Sequence, residues 1–255
     1  MSRKRVILKL GTSTLTKNSA FISRGKIEEI ARQIYDLKEE YSFIIVSSGA
    51  IAVARQFVDL AGKQSIEVKQ ALASIGQPHL MRIFMEVFSD MGLHCSQCLI
   101  SYRDFEYEDA RLNIKKTVDL LVSNDYIPII NENDTVATEE IKFGDNDMLA
   151  GKAAALIKVD LLMIATNTDG IYRNLEDGEK RETILEIRDI DSVAPHISSE
   201  KSLQGSGGMI TKIAAAKIAQ EADVETWLLN GHRESFIHNA LQNKYPFTKI
   251  LIREH

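Results

Sequence analysis

Close to its start the chain reads Val6-Ile7-Leu8-Lys9-Leu10-Gly11-Thr12-Ser13, a short and almost unbroken apolar run that ends in a glycine turn. Apolar runs of this length, bounded by turn residues, are typical of strands that are buried on both faces of a sheet. Runs of similar character recur, so we predict strands at residues 6–10, 43–47, 94–101, 127–131, 161–166, 226–229 and 249–252.

Amphipathic helices are predicted between these strands. One helix carries apolar residues at helical spacing, with Ser23 placed to cap its N-terminus. Its apolar residues are Ile27, Ile30, Ala31, Ile34 and Leu37. A second helix repeats the spacing at Ile210, Ile213, Ala214 and Ile218.

Residues 66–91 are helical in composition but contain Gly76-Gln77-Pro78, which predicts either two helices or one kinked helix. The alternation of strands and helices indicates an α/β fold, a largely parallel sheet covered by helices on both faces. Ligands of such sheets bind beyond the carboxyl ends of the strands, so the informative residues should follow the strands directly.

Composition limits the class of protein. The chain has 255 residues, with 31 Lys+Arg against 36 Asp+Glu and hence a formal net charge of −5, 44% hydrophobic residues and only 4 Pro. These values fit one ordinary domain over residues 1–255 and exclude a disordered tail, a collagen-like array and a disulfide scaffold. The mild negative charge argues against a dedicated nucleic-acid-binding protein.

Neither a membrane span nor an export signal is predicted. The longest apolar runs reach five residues, whereas a span needs about 20. The basic start is not followed by the apolar stretch of a signal peptide, because Lys9, Thr12 and Ser13 interrupt it. We therefore expect a cytoplasmic protein with no membrane partner.

The two cysteines, Cys95 and Cys98, are three positions apart in a predicted strand. Such a pair could form a redox couple or half of a zinc site. However, strand positions three apart point to opposite faces of a sheet, so the two sulfur atoms should not converge. Structural cysteines are the favoured interpretation.

Glycine turns follow the first two strands. The first turn combines small residues with a positive charge, in Lys9-Leu10-Gly11-Thr12-Ser13. The second turn leads into a predicted helix, in Ser47-Ser48-Gly49-Ala50-Ile51. Backbone N–H groups at such turns and at a helix N-terminus favour anions. Tight strand-to-helix turns need glycine for the same geometric reason, so either turn alone leaves both interpretations open.

Carboxylates and amides cluster after the fourth strand, in Asn131-Glu132-Asn133-Asp134-Thr135-Val136-Ala137-Thr138 and in Gly144-Asp145-Asn146-Asp147. Such a cluster can bind an ammonium group, orient a lysine or coordinate Mg²⁺. The alternative is a solvated acidic loop in which Asp145 or Asp147 caps the following helix.

Two further turns could contact a nucleotide. Thr166-Asn167-Thr168-Asp169-Gly170-Ile171-Tyr172 follows the fifth strand, and Gly205-Ser206-Gly207-Gly208-Met209-Ile210-Thr211-Lys212 enters a helix. Three glycines in four residues are costly to order and indicate backbone wrapped around phosphate. Neither the Walker A pattern nor the dinucleotide fingerprint is present, which leaves a less common kind of nucleotide site.

The histidines are scattered, without zinc spacing and without a serine elbow. A reaction with no evident general base fits a nucleophile that is already charged at pH 7. A carboxylate that attacks a phosphoryl group is such a nucleophile, and phosphoryl transfer requires mainly positioning and charge neutralisation.

Five motifs together resemble the amino-acid kinase superfamily and, within it, the glutamate 5-kinase family. They are K-L-G-T-S (9–13), S-S-G-A-I (47–51), I-N-E-N-D-T-V-A-T (130–138), F-G-D-N-D (143–147) and G-S-G-G-M-I-T-K (205–212). The first two are shared loosely across the superfamily, and the third and fourth are more specific. The resemblance implies a three-layer αβα sandwich and ATP-dependent phosphorylation of the side-chain carboxylate of L-glutamate, the first step toward proline.

The resemblance also implies roles for single residues. The catalytic set would be Lys9 and Lys212, which neutralise charge on the moving phosphoryl group, and Asp147, which holds them. Glutamate would be bound by Ser48, Gly49, Asp134 and Asn146. ATP would be bound by Lys9, Gly11, Thr166, Asn167, Ser206, Gly207, Gly208, Met209, Ile210, Thr211 and Lys212. Mg²⁺ would be carried on the nucleotide phosphates, with no protein metal ligands, and proline inhibition and homo-oligomers would be expected.

Three features depart from the family pattern. Asn167 stands where the family usually has Asp, Ala54 stands where Gly is common, and the chain ends at His255 without the C-terminal PUA domain of many relatives. The first removes a negative charge beside the expected nucleotide, and the second should affect packing only. Any role of a PUA domain does not carry over.

Two alternatives stay open. One is a superfamily member that acts on N-acetylglutamate, aspartate, carbamate, isopentenyl phosphate or UMP. The carboxyl group of Asp134 suits the free ammonium of glutamate, which N-acetylglutamate lacks, and no arginine lies within the motifs, as a nucleoside monophosphate would favour. The other is a non-catalytic nucleotide or amino-acid sensor, although Lys9, Asp147 and Lys212 are all present.

Overall fold

A computed structural model of the chain describes residues 3–17, 19, 21–60, 65–136, 146–174, 181–193 and 208–253. Within these residues the central sheet has eight strands in the order β3-β4-β2-β1-β5-β9-β10-β8, and β6 pairs with β7 in a separate sheet. The strands are β1 (Lys4–Leu10), β2 (Tyr41–Ser47), β3 (His94–Ile100), β4 (Tyr126–Glu132), β5 (Leu161–Thr166), β6 (Tyr172–Asn174), β7 (Arg181–Thr183), β8 (Glu186–Ile187), β9 (Glu225–Asn230) and β10 (Thr248–Ile250).

The six strands from β3 to β9 in this order run parallel to one another. Strand β10 runs antiparallel to β9 and parallel to β8. Strand β1 lies between β2 and β5 and is buried from Val6 to Leu10, which explains its continuous apolar run. The largely parallel sheet is confirmed, and all seven predicted strands are present to within two residues at each end.

Helices cover both faces of the sheet. They are α1 (Thr12–Thr16), α2 (Arg24–Leu37), α3 (Ala50–Ala54), α4 (Ile66–Asp90), α5 (Glu108–Ser123), α6 (Asp147–Ile157), α7 (Ile190–Val193), α8 (Met209–Glu221) and α9 (Phe236–Leu241). One apolar core joins the sheet to α1, α2, α3, α4 and α9. The other core joins the opposite face to α5, α6, α7 and α8. The three-layer αβα sandwich is therefore confirmed.

Helix α4 continues through Pro78 as one helix, so the prediction of two separate helices is wrong. Its buried side chains extend on both sides of the proline, from Leu72 to Phe88. The half after Pro78 packs into the core that it shares with α2, and the half before it packs on α3. Gly76 is where α4 crosses α3, because a Cβ atom there would lie 1.8 Å from the carbonyl oxygen of Ala50.

The apolar face predicted for α8 is wrong at its start. Ile210 is 63% exposed, whereas Ala215, Ala216 and Ala219 are fully buried. Helix α6 passes so close that a Cβ atom on Gly151 would lie 2.7 Å from the carbonyl oxygen of Ala215. Small residues therefore form the packed face of α8, and bulky isoleucines could not take their place.

The cysteines are structural, as predicted. Both thiols are free; Cys95 packs against one core and Cys98 against the other, because β3 directs them to opposite faces. Burial raises the pKa of Cys95 to about 11 and also raises that of Cys98, so neither thiol is activated.

Three short strands, β6, β7 and β8, were not predicted, since each has only two or three residues and no apolar run. Among the helices that the structure describes, none combines the length and the apolar character needed to cross a membrane.

Candidate active site

The turns after β1 and β2 lie side by side at the carboxyl edge of the sheet. Gly11 is the N-cap residue of α1, and Gly49 is the N-cap residue of α3. The backbone N–H of Ser48 donates to the carbonyl oxygen of Leu10 at 3.1 Å, which joins the two turns. Gly49 has a φ of 108°, a left-handed conformation that disfavours any residue with a Cβ atom. Helix α3 starts directly after Gly49, as the sequence predicts.

Asp147 lies between two lysines in the interior. Its Oδ1 is 2.6 Å from Nζ of Lys9, and its Oδ2 is 2.8 Å from Nζ of Lys212. Asp147 is fully buried, and Lys9 is 1% exposed. These residues stand at the end of β1 and in the first turns of α6 and α8, so folding brings together three positions that are far apart in sequence. The alternative in which Asp147 caps α6 is wrong, because Asn146 occupies the cap position.

Thr211 ties the start of α8 to this cluster. Its hydroxyl group donates to Oδ2 of Asp147 at 2.8 Å or to the carbonyl oxygen of Gly208 at 2.9 Å. Gly208 occupies the N-cap of α8, and the space beside its Cα is open. Met209 is half-buried and Ile210 is exposed. Ser206 and Gly207, also expected at the nucleotide, lie outside the described residues.

A buried group of amide side chains adjoins the end of β2. Asn146 donates through Nδ2 to the carbonyl oxygen of Ser47 at 2.7 Å and to Oδ1 of Asn131 at 2.6 Å. Asn131 in turn donates to Oε1 of Gln77 at 2.7 Å. Asn146 was among the predicted site residues, but Asn131 and Gln77 were not. Their only sequence signals were the amide-rich motif around Asn131 and the neighbouring Gly76.

Asp134 lies two residues beyond the end of β4. Burial raises the pKa of its carboxyl group to about 6. The next residue, Thr135, approaches α4, where its hydroxyl oxygen is 3.2 Å from that of Ser74. The rest of this loop, including Asp145, lies outside the described residues.

The turn after β5 carries Thr166 and Asn167. The carbonyl oxygen of Thr166 accepts from the N–H of Gly231, so the turn contacts the loop after β9. Asp169 accepts two bonds from Arg233, at 2.7 and 2.8 Å, which lower the pKa of its carboxyl group. This ion pair holds the turn in place.

The structure thus gathers Lys9, Asp147 and Lys212 into one cluster, beside Gly11, Ser48, Gly49 and Asn146 at the carboxyl edge of the sheet. The hydroxyl oxygen of Ser48 and Oδ1 of Asn146 are buried without a hydrogen-bond partner among the residues that the structure describes. Buried polar atoms in this state are costly, and a polar ligand would satisfy them.

Comparison with known proteins identifies the family. A model described as "Amino acid kinase family" matches residues 4–230. The chain is 39% identical to a glutamate 5-kinase of Thermus thermophilus over 246 residues, which span 94% of this chain but only 65% of that relative. It is 37% identical to a glutamate 5-kinase of Clostridium acetobutylicum over 241 residues, which span 93% of this chain and 90% of that relative.

Solved structures agree on the fold. A carbamate kinase from Giardia lamblia bound to AMP-PNP superimposes with a TM-score of 0.69 at 15% identity, covering 98% of this chain and 99% of that one. An isopentenyl phosphate kinase superimposes with a TM-score of 0.64 at 18% identity, covering 96% and 99%. These structures show the fold alone. The family match over residues 4–230 shows that the chain belongs to the amino acid kinase family, within which it is similar to relatives named glutamate 5-kinase.

Proposed function

We propose that the protein transfers the γ-phosphoryl group of ATP to the side-chain carboxylate of L-glutamate and forms L-glutamyl 5-phosphate, the first step of proline biosynthesis. The observation that carries this proposal is the buried cluster of Asp147 with Lys9 and Lys212 at the carboxyl edge of the sheet. The relatives named glutamate 5-kinase support glutamate as the acceptor.

In the proposed reaction, an oxygen of the glutamate side-chain carboxylate attacks the γ-phosphorus of ATP. The bond from that phosphorus to the bridging oxygen breaks, and ADP leaves with the electron pair of the broken bond. The product is an acyl phosphate. Because the attacking carboxylate is ionised at pH 7, the reaction needs no general base, and catalysis consists of positioning and charge neutralisation.

The two lysines suit charge neutralisation. Lys9 and Lys212 are buried and fixed by Asp147, so their ammonium groups need little reorganisation when negative charge develops on the moving phosphoryl group. Asp147 is a positioning residue in this proposal, since both of its oxygens face the lysines.

The ligand-binding residues follow the family pattern. Glutamate would be held by Ser48, Gly49, Asp134 and Asn146. ATP would lie along Gly11, Thr166, Asn167 and residues 206–212. The buried hydroxyl of Ser48 and the buried Oδ1 of Asn146 support the first assignment, since each has an unused hydrogen-bonding capacity in the described part of the chain.

Mg²⁺ would neutralise phosphate charge when it is bound. No group of three or more His, Cys, Asp or Glu side chains suited to a metal ion occurs in the described residues. The family pattern implies that the ion is carried by the ATP phosphates, and the proposal adopts this arrangement. Proline inhibition, homo-oligomers and a cytoplasmic location stay predictions.

The experiment that tests this function is ATP-dependent acyl-phosphate formation, trapped as hydroxamate with hydroxylamine. Glutamate, N-acetylglutamate, aspartate and a blank without acceptor are compared, and we expect product with glutamate alone. Hydroxamate formation with another acid would identify that acid, and not glutamate, as the substrate. If no acid gave hydroxamate, the result would favour an acceptor other than a carboxylate, or a non-catalytic sensor.

Lysine variants test the mechanism in the same assay. Lys9→Ala and Lys212→Ala should each lower kcat by about 10²–10³, the effect of removing one preorganised charge-stabilising donor. Lys26→Met is the matched control. Lys26 is also fully buried and pairs with Glu29 at 2.9 Å, but it lies in α2. Retention of wild-type kcat by either alanine variant would contradict the role.

A further inference from the structure

Three amide side chains form a buried chain of hydrogen bonds beneath the carboxyl ends of β2 and β4. Gln77 comes from α4, Asn131 from β4 and Asn146 from the start of α6. The Gln77–Asn131 bond is 2.7 Å long, and the Asn131–Asn146 bond is 2.6 Å long. All three side chains are almost completely buried. We call this chain of side chains the amide relay.

Two backbone groups fix the direction of the relay. The carbonyl oxygen of Ser47 can only accept a hydrogen bond, so the atom of Asn146 that faces it must be Nδ2. The N–H of Glu132 can only donate, so the atom of Asn131 that faces it, at 2.9 Å, must be Oδ1. Consequently Asn131 presents Nδ2 to Gln77, which accepts through Oε1.

Among the described residues, the relay leaves one polar atom without a partner at each end: the donor Nε2 of Gln77 and, at Asn146, the acceptor Oδ1. Both hydrogens of Nδ2 are engaged, by Ser47 and Asn131, and Oδ1 is buried with no partner among the described residues. An unsatisfied buried acceptor is costly, so it marks the place where a donor is expected. Asp134, which lies three residues beyond Asn131, adds a carboxyl group to the same strand end. A buried amide oxygen and a carboxylate are the kinds of group that an ammonium ion needs as partners.

We infer that Gln77 is a positioning residue for recognition of the substrate amino group, an inference that rests on the proposed function. Gln77 holds the amide of Asn131, Asn131 holds that of Asn146, and Asn146 then directs Oδ1 at the ammonium of glutamate. Without an acceptor at position 77, the buried Nδ2 of Asn131 loses its partner and turns to find another. The relay then no longer fixes Asn146.

Substitutions at position 77 separate the acceptor from the rest of the side chain. Gln77→Met keeps the length and removes the acceptor, whereas Gln77→Glu keeps an oxygen that accepts from Asn131. Gln33→Met is the matched control, because Gln33 is a buried glutamine whose Oε1 accepts from Ile237 and His238, at the start of α9. Glutarate, which has both carboxylates of glutamate but no amino group, is the comparison substrate.

For Gln77→Met we expect KM for glutamate to rise about tenfold, the effect of one lost hydrogen bond. KM for ATP, kcat and the kinetics with glutarate should stay within about twofold, so the preference for glutamate over glutarate falls about tenfold. Gln77→Glu should retain most of the preference. Gln33→Met should lower Tm without changing the preference.

Two results would overturn the inference: an unchanged preference in Gln77→Met, or an equal fall in Gln77→Glu, which would mean that Nε2 of Gln77 acts directly. Thermal-shift titrations with glutamate and glutarate, in the absence of ATP, test recognition apart from turnover. Wild-type protein that prefers glutamate in binding but forms no hydroxamate would contradict the proposed function and leave the relay intact. Wild-type protein that does not distinguish the two acids in binding would contradict the relay.

Discussion

Asp134 carries a carboxyl group whose pKa is raised to about 6, because much of the side chain is removed from water. If this group binds the ammonium of glutamate, binding requires its ionised form. We therefore expect KM for glutamate to rise as the pH falls from 7 to 5, with KM for ATP little changed. In Asp134→Asn, KM for glutamate should be high and almost independent of pH. A pH-dependent KM in that variant would show that another group is responsible.

The same raised pKa has a consequence for stability with the opposite sign. Between its unfolded pKa of about 4 and its folded pKa, Asp134 binds more protons in the folded state, so its contribution to stability falls as the pH rises through this window. Asp134→Asn should therefore stabilise the unliganded protein at pH 7, by up to about 3 kcal/mol, and have almost no such effect at pH 4. Chemical denaturation at both pH values serves as the control for the kinetic result.

The sequence predicts some single residues of the site better than others. Lys9, Asp147 and Lys212 were identified because each lies in a motif at a strand end or a helix start. Gln77 was noted only as part of a possible kink, since its role depends on contacts with Asn131, 54 positions away. A pattern within one segment carries no information about such a contact.

At the scale of elements, the crossing of α3 and α4 is a close contact near the site. Ala50 and Gly76 approach so closely that Gly76→Ala must push the two helices apart. We expect a loss of about 1–3 kcal/mol in the free energy of unfolding. KM for glutamate should also rise, because Ser48 and Gly49 lead directly into α3.

A glycine in an open helix position provides the control for this substitution. A Cβ atom on Gly25 in α2 would meet only the Ser23 hydroxyl oxygen, at 4.0 Å. Gly25→Ala should therefore be neutral or stabilise the protein by up to about 1 kcal/mol, because alanine restricts the unfolded chain. If Gly76→Ala were as stable as Gly25→Ala, the close approach of the helices would be wrong.

Elements were predicted best where one segment determines its own structure. Helix α2 has its cap at Ser23 and its apolar face as expected, because both depend on spacing within the segment. The exposed Ile210 in α8 was not expected, since the packed face of that helix is set by the approach of Gly151 from α6. The continuity of α4 through Pro78 likewise depends on burial along the whole helix.

For the whole molecule, the alternation of strands and helices was enough to predict a largely parallel sheet covered by helices on both faces. The short strands β6, β7 and β8 were missed because their pairing partners, and not their own sequences, define them. The expectation of one domain over residues 1–255 stays a prediction. What the pattern could not supply is the set of contacts that holds distant segments together at the carboxyl edge.

Asp147 provides such a contact, because it joins the end of β1 to the starts of α6 and α8. Asp147→Asn leaves two buried ammonium groups facing a neutral amide, so we expect a loss of about 3–5 kcal/mol in the free energy of unfolding at pH 7. Asp119 is the matched control: it also pairs with two cations, Arg5 and Lys115, but its side chain is 33% exposed. Asp119→Asn should cost about 1 kcal/mol or less, because water screens the charges. Equal losses, measured by chemical denaturation, would contradict the view that the buried cluster holds the three elements together.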